Sequence, residues 1–342
     1  MQSTDVNRTL QSGYSELMGL YPPGESDAPQ LTQGEVDSLS GAGRPPFRVR
    51  DAEQINASLG FAALPNDFSS KAITVFMNKD IHDDVSYNGC AWAKDQEEYR
   101  STDNKVYRDY EWLNWRIKKP VAYALSISEE DILLTNFHGM NDDTDTIRAT
   151  KFEGIAMPWE FDAKTWLDAR EVQKVYLTLR FMDEGRKLVM SRLMRKPLEM
   201  MQHKIDTVLG RDISATPYEE ARLNDVKYMI YSAHDDQVDN MMIWLKPTNY
   251  EMDYVDFASQ VVFELKHQPE CLASASADES CFSVDIIYNG VELALPGCGD
   301  APGCSYVDFV NFMKVQRYDG NLDEACYQKF VPTDEISEAF LQ

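Results

Sequence analysis

The chain has 342 residues, 43% hydrophobic and 11% aromatic, which is apolar enough for one large unit or two packed lobes and too apolar for a disordered chain. Its 57 acidic side chains outnumber 33 basic ones, and the resulting net charge of -24 excludes nucleic acid and an anionic membrane as partners. No apolar run reaches the roughly 18 to 20 residues that span a bilayer, and the N-terminus MQSTDVNRT lacks the basic, apolar and small-residue regions of a secretory leader.

In chain order, Val6, Leu10, Leu17 and Tyr21 fall near one helical face, Ser3 and Thr4 are cap-forming types, and Pro22-Pro23 stops the element, so an opening helix is predicted. Residues 25–70 are rich in Gly, Pro, Ser, Asp and Asn and read as an inserted surface loop, followed by a strand-like run from Ala72 to Met77. From Cys90 to about Gly210 the pattern is mostly helical. Its clearest stripe is Leu198, Met201, Ile205 and Leu209, with Pro197 suited to a first helical turn. VKYMIYS at 226–232 predicts a buried strand, Val238, Met241, Met242 and Leu245 recur at helical spacing, and VVFEL and FSVDIIYNG predict further strands. The expected organisation is an α/β core from residues 1–88 and 211–342, with residues 89–210 as an inserted, mainly helical lobe.

Six cysteines, all at or after Cys90, read as disulfides rather than as a zinc site, because no CxxC or paired histidine accompanies them. The Gly/Pro-rich turn LPGCGDAPGCSY can join Cys298 to Cys304, and Cys271 and Cys281 flank a small polar loop. Cys90 and Cys326 remain for a long-range closure. Two sequons, Asn7-Arg8-Thr9 and Asn56-Ala57-Ser58, are compatible with export. The acidic run Asp142-Asp143-Thr144-Asp145 lacks the glycine and closing glutamate of a calcium loop and reads as a solvated acidic loop.

The most informative residues are His234 and Asp235, between the strand predicted to end at Ser232 and the helix announced by Val238. Ligands of open α/β sheets gather at carboxyl ends of strands, and a helix N-terminus offers free N–H groups to an anion. An imidazole followed by a carboxyl at that position can bind a phosphate and protonate a leaving oxygen. The same pair also serves as a structural hydrogen bond or helix cap.

Four segments decide between these uses. STDVNRTLQSGYSELMGLYPP at 3–23 is similar to the STDVDRT helix and following LFPP of the histidine acid phosphatases, and YSAHDDQV at 231–238 resembles their YSAHDTTV segment. LPGCGDAPGC at 295–304 resembles a disulfide-closed LPGC turn of that family, and Asn88-Gly89-Cys90 with Cys326 resembles its long-range bridge. The resemblance is to the prostatic and lysosomal branch and spans nearly the whole chain. It implies a phosphoglycerate mutase-like fold, with a central sheet flanked by helices and an inserted helical lobe. It also implies phosphomonoester hydrolysis through a phosphohistidine, with His234 hydrogen-bonded to the phosphoryl group and Asp235 as general acid to the leaving alcohol. A small phosphomonoester is the implied partner, no cofactor or metal is needed, and the family's habit of dimerising allows a homodimer. The implied location is secreted or lysosomal.

The departures are equally specific. No RHGxRxP motif, which carries the family's nucleophile, occurs in this sequence; the nearest fragment is Gly43-Arg44-Pro45. His82, His138, His203 and His267 lie in unrelated contexts. Gln2 stands where the family has a phosphate-binding arginine, and an amide supplies neither the charge nor the fork of donors. Asp236, in place of the usual threonine, is expected to burden a phosphate dianion. The simplest expectation is a chain that starts inside its gene, with the leader, first strand and RHGxRxP loop upstream of Met1. The alternative is a non-catalytic phosphatase-like binding protein.

Overall fold

The computed structural model describes residues 2–4, 6–20, 84–102, 104–211, 226–299 and 301–332. The predicted loop at 25–70, the strand-like run Ala72 to Met77, the Gly43-Arg44-Pro45 fragment, Asn56 and His82 lie outside them, as do the side chains of Gln2, Asn7, Leu10 and Leu17. The chain divides into two units, Met1–Val85 with Tyr228–His234, and Ser86–Lys227 with Asp235–Gln342.

In the first unit, strand β1 (Gln2–Ser3) runs parallel to β2 (Tyr231–Ser232), pairing Gln2 with Tyr231 and Ser3 with Ser232. Helix α1 (Asn7–Leu20) follows β1. It starts later than the cap-forming Ser3 and Thr4 suggest, because the Thr4 hydroxyl is engaged elsewhere. The strand predicted over 226–232 is shorter than its apolar pattern implies. Only Tyr231 and Ser232 have a ladder partner among the described residues, and residues 226–230 are half-buried or exposed.

The second unit is mainly helical. Its helices up to the second unit's sheet are α2 (Ala91–Thr102), α3 (Glu111–Leu125), α4 (Glu129–Leu134), α5 (Phe137–Phe152), α6 (Ala163–Arg180), α7 (Asp183–Val208) and α8 (Asp235–Leu245). Leu113, Ile117, Val121 and Ala124 of α3 form one buried stripe, and Phe137, Met140, Thr144 and Ile147 of α5 another. Around them Tyr107 stacks on Phe137 with ring centroids 4.8 Å apart, and Val172 and Tyr176 of α6 complete the core. Asp142, Asp143 and Asp145 therefore sit on a helix and not in a loop. Asn136 caps α5 by accepting from Gly139 N, and the buried stripe holds the helix through the acidic run.

Pro197 lies in the interior of α7, not in a first turn. A proline there removes one backbone bond, but Leu188, Val189, Met190, Leu193 and Met194 upstream are all buried, and their burial outweighs the ~3 kcal/mol that an interior proline costs. Of the predicted stripe, Leu198 and Ile205 are buried and Met201 and Leu209 half-buried.

The sheet of this unit comprises β3 (Val261–His267), β4 (Phe282–Tyr288), β5 (Val291–Glu292) and β6 (Cys304–Ser305), all antiparallel, with β4 paired to the other three. Phe282, Val284, Ile286 and Tyr288 of β4 are buried in strict alternation. A short helix α9 (Pro269–Leu272) follows β3. Helices α10 (Tyr306–Gln316) and α11 (Leu322–Tyr327) follow the sheet, and Phe309 of α10 approaches Phe263 of β3. Three disulfides are present: Cys90–Cys326 across 236 residues, Cys271–Cys281 and Cys298–Cys304, the same three pairs named from the sequence. No helix of the described residues is long and apolar enough to cross a membrane.

Candidate functional site

The β1–β2 pairing sets residues 2–4 beside 231–234. Thr4 N donates to Ser232 O at 3.2 Å, and the Ser232 hydroxyl donates to Thr9 O at 2.5 Å. His234 is held in this corner by both ring nitrogens. Nδ1 is 3.1 Å from an Arg8 guanidinium nitrogen and Nε2 is 3.0 Å from Thr4 Oγ1. A guanidinium can only donate, so Nδ1 accepts and the ring proton sits on Nε2. The Thr4 hydroxyl then accepts from Nε2 and donates to Thr9 Oγ1 at 2.8 Å, whose own proton goes to Val6 O, also at 2.8 Å. A continuous hydrogen-bonded chain fixes the ring, while Arg8 remains exposed.

Asp235 opens α8 in the second unit. Its Oδ1 accepts from Asp236 N at 3.0 Å, and its Oδ2 accepts from Gln173 Nε2 of α6 at 2.8 Å. These two donors orient the carboxyl and leave it partly accessible. Asp236, the residue expected to burden a dianion, is buried and engaged with a cation. Arg180 Nη1 donates to Asp236 Oδ2 at 3.1 Å, Nε to Glu97 Oε1 at 2.7 Å and Nη2 to the Tyr87 hydroxyl at 2.7 Å. Arg180, shared with Glu97, offsets part of the charge that Asp236 would present to a ligand.

Burial acts against the Arg180 charge, yet Asp236, Tyr176, Glu97 and Tyr87 together hold its proton above the ordinary range. Burial pushes the Asp236 carboxyl up, against the pull of Arg180. One turn on, burial pushes Asp239 up to about 7; Arg186 and Lys174 oppose that shift, and the Asp235 and Asp236 carboxylates add to it. Asp236 Oδ1 and Asp239 Oδ2 are buried with no hydrogen-bond partner among the described residues. Arg186 itself bonds Asn240 Oδ1, Asp183 Oδ1 and the carbonyls of Thr178 and Phe181.

The sequence pattern singled out His234 and Asp235 but none of Glu97, Gln173, Arg180 and Asp239. The available signal was spacing: Asp235 and Asp239 fall four apart on α8, as do Tyr176 and Arg180 on α6, yet that spacing is common on solvated helices. The other described histidines sit apart from this chemistry. His138 Nδ1 lies 2.6 Å from the Tyr176 hydroxyl, His203 is buried in α7 and His267 ends β3. Among the described residues no group of three or more His, Cys, Asp or Glu side chains could hold a metal ion. No protein-family model and no curated protein matches the chain.

Proposed function

We propose that the protein is a histidine-type acid phosphatase of phosphoglycerate mutase-like architecture, acting on small phosphomonoesters. The observation that carries this reading is the pairing of β1 with β2, since it joins the two motif segments, STDVNRT and YSAHD, across more than 220 residues of sequence. Thr4, Arg8 and His234 meet there, and two donors orient Asp235 on the next helix. In the proposed reaction, as the family resemblance implies, His234 hydrogen-bonds the phosphoryl group and Asp235 delivers a proton to the departing alkoxide. The attacking histidine is that of an RHGxRxP segment, which this sequence does not contain.

The experiment compares the 342-residue chain with a version extended upstream through an RHGxRxP segment, on p-nitrophenyl phosphate at acid pH. The extended version turns over and the shorter chain does not. In the extended protein, Asp235→Asn lowers turnover of an alkyl phosphate by about 100-fold and that of the nitrophenyl ester much less, because nitrophenolate leaves without a proton. Hydrolysis by the 342-residue chain, or equal Asp235→Asn losses on both esters, refutes the assignment. A non-catalytic binding protein is the second reading, favoured by Gln2 in the arginine position; it requires the extended version to stay inactive.

A further inference from the structure

Helix α6 carries three neighbouring polar side chains on the flank that meets Asp235. Gln173 donates to Asp235 Oδ2, and Arg170 and Lys174 fall with it within roughly 100° of arc. Both cations are half-buried. The Arg170 guanidinium lies over the Tyr254 ring at 4.4 Å, and the Tyr254 hydroxyl is itself tied to Asp256 Oδ1 at 2.7 Å. Stacking uses the face of a guanidinium and leaves its N–H edge free. Among the described residues that edge has no acceptor, although Arg148, Arg180, Arg186, Arg192 and Arg195, the other arginines of α5, α6 and α7, each donate a hydrogen bond. The Lys174 ammonium has no acceptor among them either.

Like charges at this i, i+4 spacing repel each other along a helix. A purely structural pair would be expected to find carboxylates in a chain of net charge -24, yet the nearby ones are engaged elsewhere. Asp168 is held by Arg116, Asp256 accepts from Tyr254, and Glu171 forms no ion pair with either cation. Lys174 opposes the upward shift of Asp239 on α8, but burial keeps that carboxyl protonated at acid pH, so it does not neutralise the ammonium there. A general acid touches the leaving alcohol, which puts the flank of α6 beside Asp235 on the leaving-group side. A stacked guanidinium fork with a point charge one turn on suits a carboxylate or a phosphate, whereas a neutral alcohol leaves both cations unsatisfied.

We propose, on the basis of the phosphatase reading, that Arg170 and Lys174 form a subsite for an anionic leaving group, so that the preferred substrates are phosphomonoesters whose alcohol carries a carboxylate or a second phosphate. The test is calorimetric titration of the 342-residue chain at pH 5 with three matched esters: propyl phosphate, 3-(phosphonooxy)propanoate and propane-1,3-diyl bisphosphate. The two anionic esters bind about tenfold more tightly than propyl phosphate, against the general repulsion of a chain of net charge -24, and added salt narrows the gap. Arg170→Met with Lys174→Met brings all three esters to the same affinity, whereas Lys314→Met, at an exposed position on α10, keeps the difference. Lys174→Met alone removes part of it with an unchanged circular dichroism spectrum, so the result does not depend on the double variant folding. A preference for one anionic ester over the other identifies its anion as the ligand. The proposal is overturned if propyl phosphate binds as tightly as the anionic esters, if the double variant keeps the preference, or if Lys314→Met abolishes it equally. Turnover does not enter this measurement, so hydrolysis can fail in the extended version while the binding preference stands.

Discussion

Asp239→Asn tests whether a buried carboxyl on α8 makes the protein an acid-stable one. Burial raises Asp239 from an ordinary 3.8 to about 7, so between those values the folded state keeps a proton that the unfolded state releases. Stability from this group is therefore full below pH 3.8 and falls as pH rises towards 7. At about 1.4 kcal/mol per tenfold, the loss by pH 8 is about 4 kcal/mol. Asparagine removes that pH-dependent loss, but its amide meets no acceptor among the described residues, where Asp239 Oδ2 is buried without a hydrogen-bond partner. An unpaired buried amide costs about 1 to 3 kcal/mol. The variant should therefore be about 1 to 3 kcal/mol more stable than wild type at pH 8 and less stable by a similar amount at pH 3.5. Urea unfolding followed by circular dichroism at both pH values measures this, with an unchanged m-value as the control. A stability difference of the same sign and size at both pH values would refute a buried, proton-holding Asp239.

Arg180→Met leaves Glu97 and Asp236 buried without their cation and should cost about 3 to 5 kcal/mol at pH 7.5, with part of the loss recovered at pH 5 as the carboxyls take up protons; thermal melts at the two pH values report it. Gly185→Ala drives a Cβ into Gln96 Oε1, which accepts the Met182 N–H at the start of α7. Because Gln96 is fully buried, the substitution should cost about 2 kcal/mol in urea unfolding, and most of that increment should vanish in a Gln96→Ala background.

Where local periodicity and chemistry agree, the sequence was a good guide. Val238, Met241, Met242 and Leu245 mark α8, the alternation in FSVDIIY marks β4, and the short loops around Cys271–Cys281 and Cys298–Cys304 leave their cysteines few other partners. These features depend on neighbours within a dozen residues. The errors arose where distant residues overrule local preference. Pro197 signals a helix start, but buried residues on both sides carry α7 through it. The apolar run at 226–232 signals a full strand, but a strand extends only as far as its partner, and among the described residues that partner is two residues long.

The site divides along the same line. The position of His234 and Asp235 next to each other, just ahead of a helix, was legible because chain order alone creates it. Their surroundings were not. Thr4 and Arg8 reach His234 across more than 220 residues, Gln173 reaches Asp235 across 62, and Arg180 gathers Glu97, Asp236 and Tyr87 from three separate elements. Whether Asp236 is a free carboxylate or a compensated one depends on burial and on that guanidinium. Neither leaves a trace in residue spacing, because dielectric environment and ion pairing arise only when the helices pack.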